Sequence, residues 1–150
     1  DACLVGSEMC IRDRINTTYD SLMLSLEMIK PGIKLGDLGN FIQNYAETRN
    51  FSVVREFCGH GIGKVFHDEP NILHYGMKGS GVEIREGMFF TVEPMINAGK
   101  PATKMLPDGW TAVTRDRSLS AQFEHSIGVT RDGIEIFTKS LNNSGNPIAI

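Results

Sequence analysis

Little in this chain favours a cross-linked, membrane-bound or nucleic-acid-bound protein. Its three cysteines are an odd number without metal-clip spacing, which argues against a disulfide framework and a structural zinc site and fits a reducing compartment. No apolar run approaches the roughly 20 residues that cross a bilayer, and Cys3-Leu4-Val5-Gly6 is too brief for the core of a signal peptide. The expected location is therefore cytoplasmic, with no membrane partner. Fifteen Lys and Arg stand against eighteen Asp and Glu, a net charge of −3. No basic stripe is long enough to neutralise a row of phosphates, which speaks against nucleic acid as a partner. Neither an internal repeat nor a linker divides the 150 residues, and a chain of that size buries roughly 70% of the surface its unfolded form exposes, enough for one core. With 41% apolar and 22% charged residues, the composition is that of a globular domain rather than a disordered or fibrous one.

Residues Leu4 to Arg14 show neither helical nor alternating periodicity and join abruptly to a well-patterned helix. Their letters match the translation of a sequencing-library adaptor. Residues 1–14 are accordingly read as a non-native scar, or else as an ordinary disordered tail, and the fold is sought in residues 15–150. On the first reading Cys58 is the one native cysteine.

From Thr17 to Lys30, Leu22, Leu24, Leu26, Met28 and Ile29 mark a buried helix that Pro31-Gly32 stops. Leu35, Leu38, Phe41, Ile42, Tyr45 and Ala46 fall at three- and four-residue intervals, the apolar face of a second helix ending near Asn50. Phe51 to Phe57 has the β-branched and aromatic content of a strand and runs into Cys58-Gly59-His60-Gly61-Ile62-Gly63. Further strands are expected at Met88–Glu93, Thr111–Thr114, Phe123–Thr130 and Gly133–Thr138, largely antiparallel. Loops are expected at Gly76–Gly81 and Asn97–Gly109, and a polar tail at Asn142–Pro147. The chain is therefore mixed α and β.

Three ionisable side chains fall where the local pattern predicts burial: His60, Glu93 and Glu124. Glu93 ends the run Met88-Phe89-Phe90-Thr91-Val92, just before Pro94 halts strand pairing. Glu124 is enclosed by Ala121, Phe123, Ile127 and Val129, and a bare buried carboxylate costs several kcal/mol unless a cation faces it. Carboxylates with an imidazole suit divalent ions that activate water. The alternative is an Arg or Lys pairing each Glu, with His60 a hydrogen-bonded loop residue. The glycines beside His60 serve either a close backbone approach or a plain turn. They are no nucleotide fingerprint, because Phe66-His67-Asp68-Glu69-Pro70 supplies no following helix.

Four segments taken together resemble the type I, bacterial-type methionine aminopeptidases. They are Cys58 to Gly63, Phe66-His67-Asp68-Glu69-Pro70, Glu86-Gly87-Met88-Phe89-Phe90-Thr91-Val92-Glu93-Pro94, and Ser118-Leu119-Ser120-Ala121-Gln122-Phe123-Glu124-His125. Their order and intervals match too, and the likeness extends from about Thr18 to Pro147, including Lys30-Pro31-Gly32. The resemblance implies an α/β (α+β) pita-bread fold, a curved, mainly antiparallel sheet backed by helices, here with its amino-terminal part missing. It also implies two divalent metal ions (cobalt, manganese, iron or zinc) in the complete enzyme, with His60, Glu93 and Glu124 as metal ligands. His67 would bind the scissile amide and stabilise charge on its carbonyl oxygen. Glu93 would carry a proton from the attacking water to the departing amine. Cys58 and Trp110 would bind the substrate methionine side chain, although plain packing explains either residue.

The function so implied is removal of the initiator methionine from nascent polypeptides, with the ribosome a further candidate partner and the complete enzyme expected to be monomeric. The family has two more ligands, aspartates on a hairpin upstream of the first helix. The chain begins too late to hold them, and Asp1, Asp13 and Asp20 do not match their motif. The polypeptide as written is therefore expected to have little activity, and its unpaired sheet edges to invite association. Two other functions compete: a non-catalytic peptide- or ribosome-binding module of the same fold, and a prolidase-like dipeptidase.

Overall fold

The computed structural model describes residues 8–140, so residues 1–7 of the suspected scar, Asp1 among them, and the tail at Asn142–Pro147 lie outside the described residues. The first helix, α1, runs Glu8–Glu27 and so begins well upstream of the expected Thr17. The extension carries no apolar stripe to announce it, since of residues 10–16 only Arg14 is buried. Thr17, Thr18, Ser21 and Ser25 are all buried, a stripe that carries no large apolar signal. Their burial is tolerated because the hydroxyls donate back to the helix's own carbonyls, Thr18 to Arg14 O at 2.7 Å, Ser21 to Thr18 O at 2.8 Å and Ser25 to Leu22 O at 2.7 Å. Lower down, Leu22 and Leu26 enter the core while Leu24 stands on the outer face. Cys10, near the start of α1, is disulfide-bonded, against the expectation from cysteine count, whereas Cys58 is a free thiol.

Helix α2, Leu35–Glu47, follows its periodicity closely, with Leu35, Leu38, Ile42 and Ala46 buried. Its polar stripe has a separate use. Asp37 Oδ1 accepts from Gly79 N at 2.7 Å, Asn40 Nδ2 donates to Gly76 O at 3.0 Å, and Gln43 Oε1 accepts from Gly76 N at 3.2 Å. Three side chains one turn apart thus clamp the loop at 76–79 to the helix.

Every strand pairing is antiparallel. In chain order the strands are β1 Ser52–Val53, β2 Gly59–Gly61, β3 Asp68–Ile72, β4 Phe89–Val92, β5 Met95–Asn97, β6 Thr103–Met105, β7 Ala112–Thr114, β8 Ser120–Gln122, β9 His125–Val129 and β10 Ile134–Ile136. They form a five-stranded sheet β10-β9-β4-β2-β3, a three-stranded sheet β1-β5-β8, and a β6-β7 hairpin. Helix α1 packs on β5 and β8, and α2 packs on β1. One core joins the helices to both larger sheets, through Leu22, Leu38, Ile42, Val53, Ile96, Phe90, Val92 and Ile127.

Three local differences from the sequence reading have clear causes. The strand expected over Phe51–Phe57 is confined to Ser52–Val53, and Glu56 instead turns outward to accept Thr103 N at 3.1 Å. The segment Gly59–Gly61 is a wholly buried central strand, not a turn. A Cβ at Gly59 would collide with Thr91 O and one at Gly61 with Glu69 O, so these glycines serve close approach of neighbouring backbones. Strand β3, which was not among the expected strands, contains Pro70; it forms the sheet edge, where a missing N–H removes no ladder bond.

The two larger sheets share a seam. Val92 pairs with His125 on one side of it and Met95 with Gln122 on the other. Carrying that register inward from either side sets Glu93 opposite Glu124 and Pro94 opposite Phe123. Both chains lose their ladder bonds across this gap, in keeping with the donor that Pro94 lacks. Ring packing of Tyr19 on Phe123, at 5.4 Å, ties the seam to α1.

Candidate metal centre

His60 comes from the middle of β2 and Glu93 from just beyond the end of β4, and their side chains converge, with Nε2 and Oε1 3.9 Å apart. His60 is 8% exposed. Its Nδ1 lies 2.9 Å from Gly61 O, and because a carbonyl only accepts, Nδ1 is the nitrogen that donates there, which leaves Nε2 as the ring atom turned toward Glu93. With Nε2 free of a proton, two electron-pair donors face one another. Each would bind a divalent ion at about 2.1 Å, so donors sharing one ion lie within about 4.2 Å of each other, and the observed separation satisfies that limit. A backbone carbonyl fixing the remote nitrogen is the usual support of a metal-binding histidine.

Thr91, on β4 and 1% exposed, locks the pair together. Its Oγ1 accepts from His60 N at 3.0 Å and donates to Glu93 Oε1 at 2.8 Å. Gln122 Nε2 lies 3.3 Å from Glu93 Oε2 and donates from across the seam. Burial raises the Glu93 carboxyl above its usual range; the Thr91 hydrogen bond opposes that shift, and the Glu124 charge adds to it. Glu124 therefore acts on Glu93 electrostatically, as its register position requires. It is not the enclosed carboxylate of the sequence reading, however: it is exposed, in the gap between β8 and β9. Among the described residues no three His, Cys, Asp or Glu side chains close a complete ion cage. The donors nevertheless fit hard or borderline divalent ions in kind, and His60 with Glu93 fits in geometry.

His67 lies in the exposed segment between β2 and β3, its ring edge-on to His60 at 4.3 Å and to Phe66 at 4.7 Å. Cys58 is half-buried, its thiol 3.8 Å from Asn71 Oδ1. Burial and then the Glu93 charge push that thiol's pKa up, which keeps it protonated. Trp110 is not brought to His60: it is 87% exposed on the β6-β7 hairpin. It lines a groove of about 980 Å³ with Val54, Phe57, Met95 and Gln122. Gln122 also touches Glu93, so the groove borders the candidate metal centre on that side, whereas Cys58 is not among the groove's lining residues.

Two residues of the site escaped the sequence reading. Thr91 looks like any strand threonine, and its role arises from β2 lying alongside β4. His74 is 2% exposed and accepts Glu93 N on Nε2 at 3.0 Å. Burial pulls its pKa down to about 4, so the ring is neutral. Its one sequence signal was a histidine within the apolar run Ile72-Leu73-His74-Tyr75.

The model of metallopeptidase family M24 matches residues 3–131. The chain belongs to that family. Among its relatives is a methionine aminopeptidase of Rickettsia prowazekii, 63% identical over 127 residues, covering 84% of this chain and 49% of that protein. Another, from Escherichia coli K12, is 52% identical over 136 residues, covering 90% and 52%. The crystal structure of the methionine aminopeptidase from Thermotoga maritima superposes with a TM-score of 0.87 at 42% identity, covering 89% of this chain and 54% of that one. The architecture is accordingly that of the pita-bread fold. The chain spans about half the length of the curated relatives it matches.

Proposed function

We propose that this chain carries the His60, Glu93 and Glu124 side of a divalent-metal aminopeptidase that removes methionine from the amino terminus of nascent polypeptides. The observation that supports it most directly is the meeting of two lone-pair donors, His60 Nε2 and Glu93 Oε1, at 3.9 Å on a buried, Thr91-locked frame, with Glu124 across the seam. His60, Glu93 and Glu124 would hold the metal, whose chemistry is to polarise the scissile carbonyl and acidify water. Glu93, its proton affinity raised by burial, accepts the proton of the attacking water and returns it to the departing amine. His67, on the exposed side of His60, donates to the carbonyl oxygen as charge develops there. Cys58 and Trp110 are assigned to the binding of the methionine side chain. Residues 1–14 are assigned no part in the site.

With three candidate donors among the described residues, the 150-residue polypeptide should bind a divalent ion weakly and turn over slowly, so binding is measured first. Titration with Co²⁺, followed by the visible absorption of the bound ion, should saturate in the chain and fail in Glu93→Gln. Methionine release from Met-Ala-Ser should then depend on added metal, stop with chelator and fall about 100-fold or more in Glu93→Gln. Faster cleavage of Xaa-Pro dipeptides would instead assign a dipeptidase. Absence of Co²⁺ binding would defeat the metal reading outright.

A further inference from the structure

We infer that His74 is a positioning residue for Glu93, fixing the end of β4 by accepting the Glu93 backbone N–H on Nε2. The need arises at the seam. Glu93 lies one residue past the last ladder position of β4, and Met95 is the first of β5, so the Glu93 N–H has no strand partner and Pro94 has no N–H to offer. A part-buried donor in that position, cut off from the ladder, calls for an acceptor. His74 supplies it at 3.0 Å from a ring that is 2% exposed. With Nε2 accepting, the neutral ring carries its proton on Nδ1.

What holds His74 is helix α2. A Cβ built on Gly39 would fall 2.7 Å from Leu73 O and against Tyr75 O, so the carbonyls on either side of His74 rest directly on the helix where it has no side chain. One residue further on, Gly76 is held through both its N–H and its carbonyl, by Gln43 and Asn40. Helix α2 therefore sets the 73–76 segment, that segment sets the His74 ring, and the ring sets the main chain from which the Glu93 carboxylate reaches His60. Thr91 restrains Glu93 from its own strand; His74 restrains it from the segment that follows β3.

The link to metal binding rests on the proposed function, whereas the link to Glu93 does not, and one set of samples separates them. In the unsubstituted 150-residue chain, long-range ¹H–¹⁵N spectra at pH 7 should show His74 protonated on Nδ1 and bare on Nε2. In His74→Leu the Glu93 amide should exchange at least tenfold faster, while the Ile127 and Val129 amides of β9 keep their protection. In His74→Gln, whose side-chain oxygen can accept the same bond, Glu93 exchange should return to within threefold of the original. An Nε2–H tautomer, or an unchanged Glu93 amide in a folded His74→Leu protein, would overturn the assignment. Co²⁺ titration of the same proteins should show affinity at least tenfold weaker in His74→Leu and recovered in His74→Gln. Equal Co²⁺ affinity in all three would remove the positioning role toward the metal. No binding even by the unsubstituted chain would sink the proposed function and leave amide exchange to decide the role of His74.

Discussion

The five-stranded sheet and the β6-β7 hairpin are built on opposite principles. The sheet's central strands are sealed, with Phe90, Val92, Ile127 and Val129 inside the core and His60 and Glu93 mounted among them. The hairpin has no buried residue at all, and it presents Met105 and Trp110 to solvent. Local bonds hold its turn: Asp108 Oδ1 accepts from Trp110 N at 3.0 Å and Thr111 N at 2.9 Å, and its Oδ2 accepts the Thr111 hydroxyl at 2.6 Å. Groups that must hold a fixed geometry thus sit on packed strands, and the groove-lining aromatic sits on a loop that can yield.

The sharpest way to break this comparison is to truncate one large side chain in each region. Phe90→Ala removes a fully buried ring and should lower unfolding stability by about 3–5 kcal/mol. Trp110→Ala should stay within about 0.5 kcal/mol of the original, as surface substitutions do. Urea denaturation measures both, and similar losses would mean that the hairpin belongs to the same cooperative unit as the sheet.

A smaller effect is expected at Thr91, where the sheet and the candidate metal centre are one object. Thr91→Val keeps the shape but leaves the His60 N–H without its acceptor, and should cost about 1–3 kcal/mol. Co²⁺ affinity should fall about 10-fold or more, since the hydroxyl also orients Glu93. Loss of stability with Co²⁺ affinity intact would show that Thr91 serves the strands alone.

How much of this was legible beforehand depends on whether a residue's role is local. Helix α2 was readable because its burial follows its own 3.6-residue period, and Glu93 because an acidic residue ends an apolar run before a proline. The mixed, largely antiparallel architecture followed from the same runs. The start of α1, upstream of Thr17, was not legible, since of residues 10–16 only Arg14 is buried and no apolar face marks the helix. Nor was β3, because proline in a strand makes sense only once the strand is known to be an edge. Glu124 was placed in a continuous strand because Phe123 to Val129 alternates well, yet the break opposite Pro94 is imposed by the facing segment between β4 and β5. Thr91 and His74 act through residues 31 and 19 positions away, and no local pattern encodes such a pairing.

The mildest test separates the two regions by acid. Asp116 follows β7 and organises the hairpin's return: its Oδ2 accepts Lys100 N at 2.7 Å and its Oδ1 accepts Ser118 N at 2.9 Å. The Lys100 backbone bond first, and then Ser118 through its side chain and backbone, pull the carboxyl pKa down to about 2. An unfolded aspartate titrates near 3.9. The folded form therefore binds a proton less readily, so the contribution of Asp116 is complete above about pH 4 and fades as pH falls through about 2. Carboxyl chemical shifts should give a midpoint near 2 for Asp116. Protection of the Lys100 and Ser118 amides, corrected for intrinsic exchange, should fall in the same window while β9 stays protected. Asp116→Asn retains an acceptor without the charge and should flatten that pH response. An Asp116 midpoint close to 4 would show that the hairpin is not held by this carboxylate. Simultaneous loss of β9 protection would show that sheet and hairpin open together, and the contrast between them would then be one of exposure and not of independent stability.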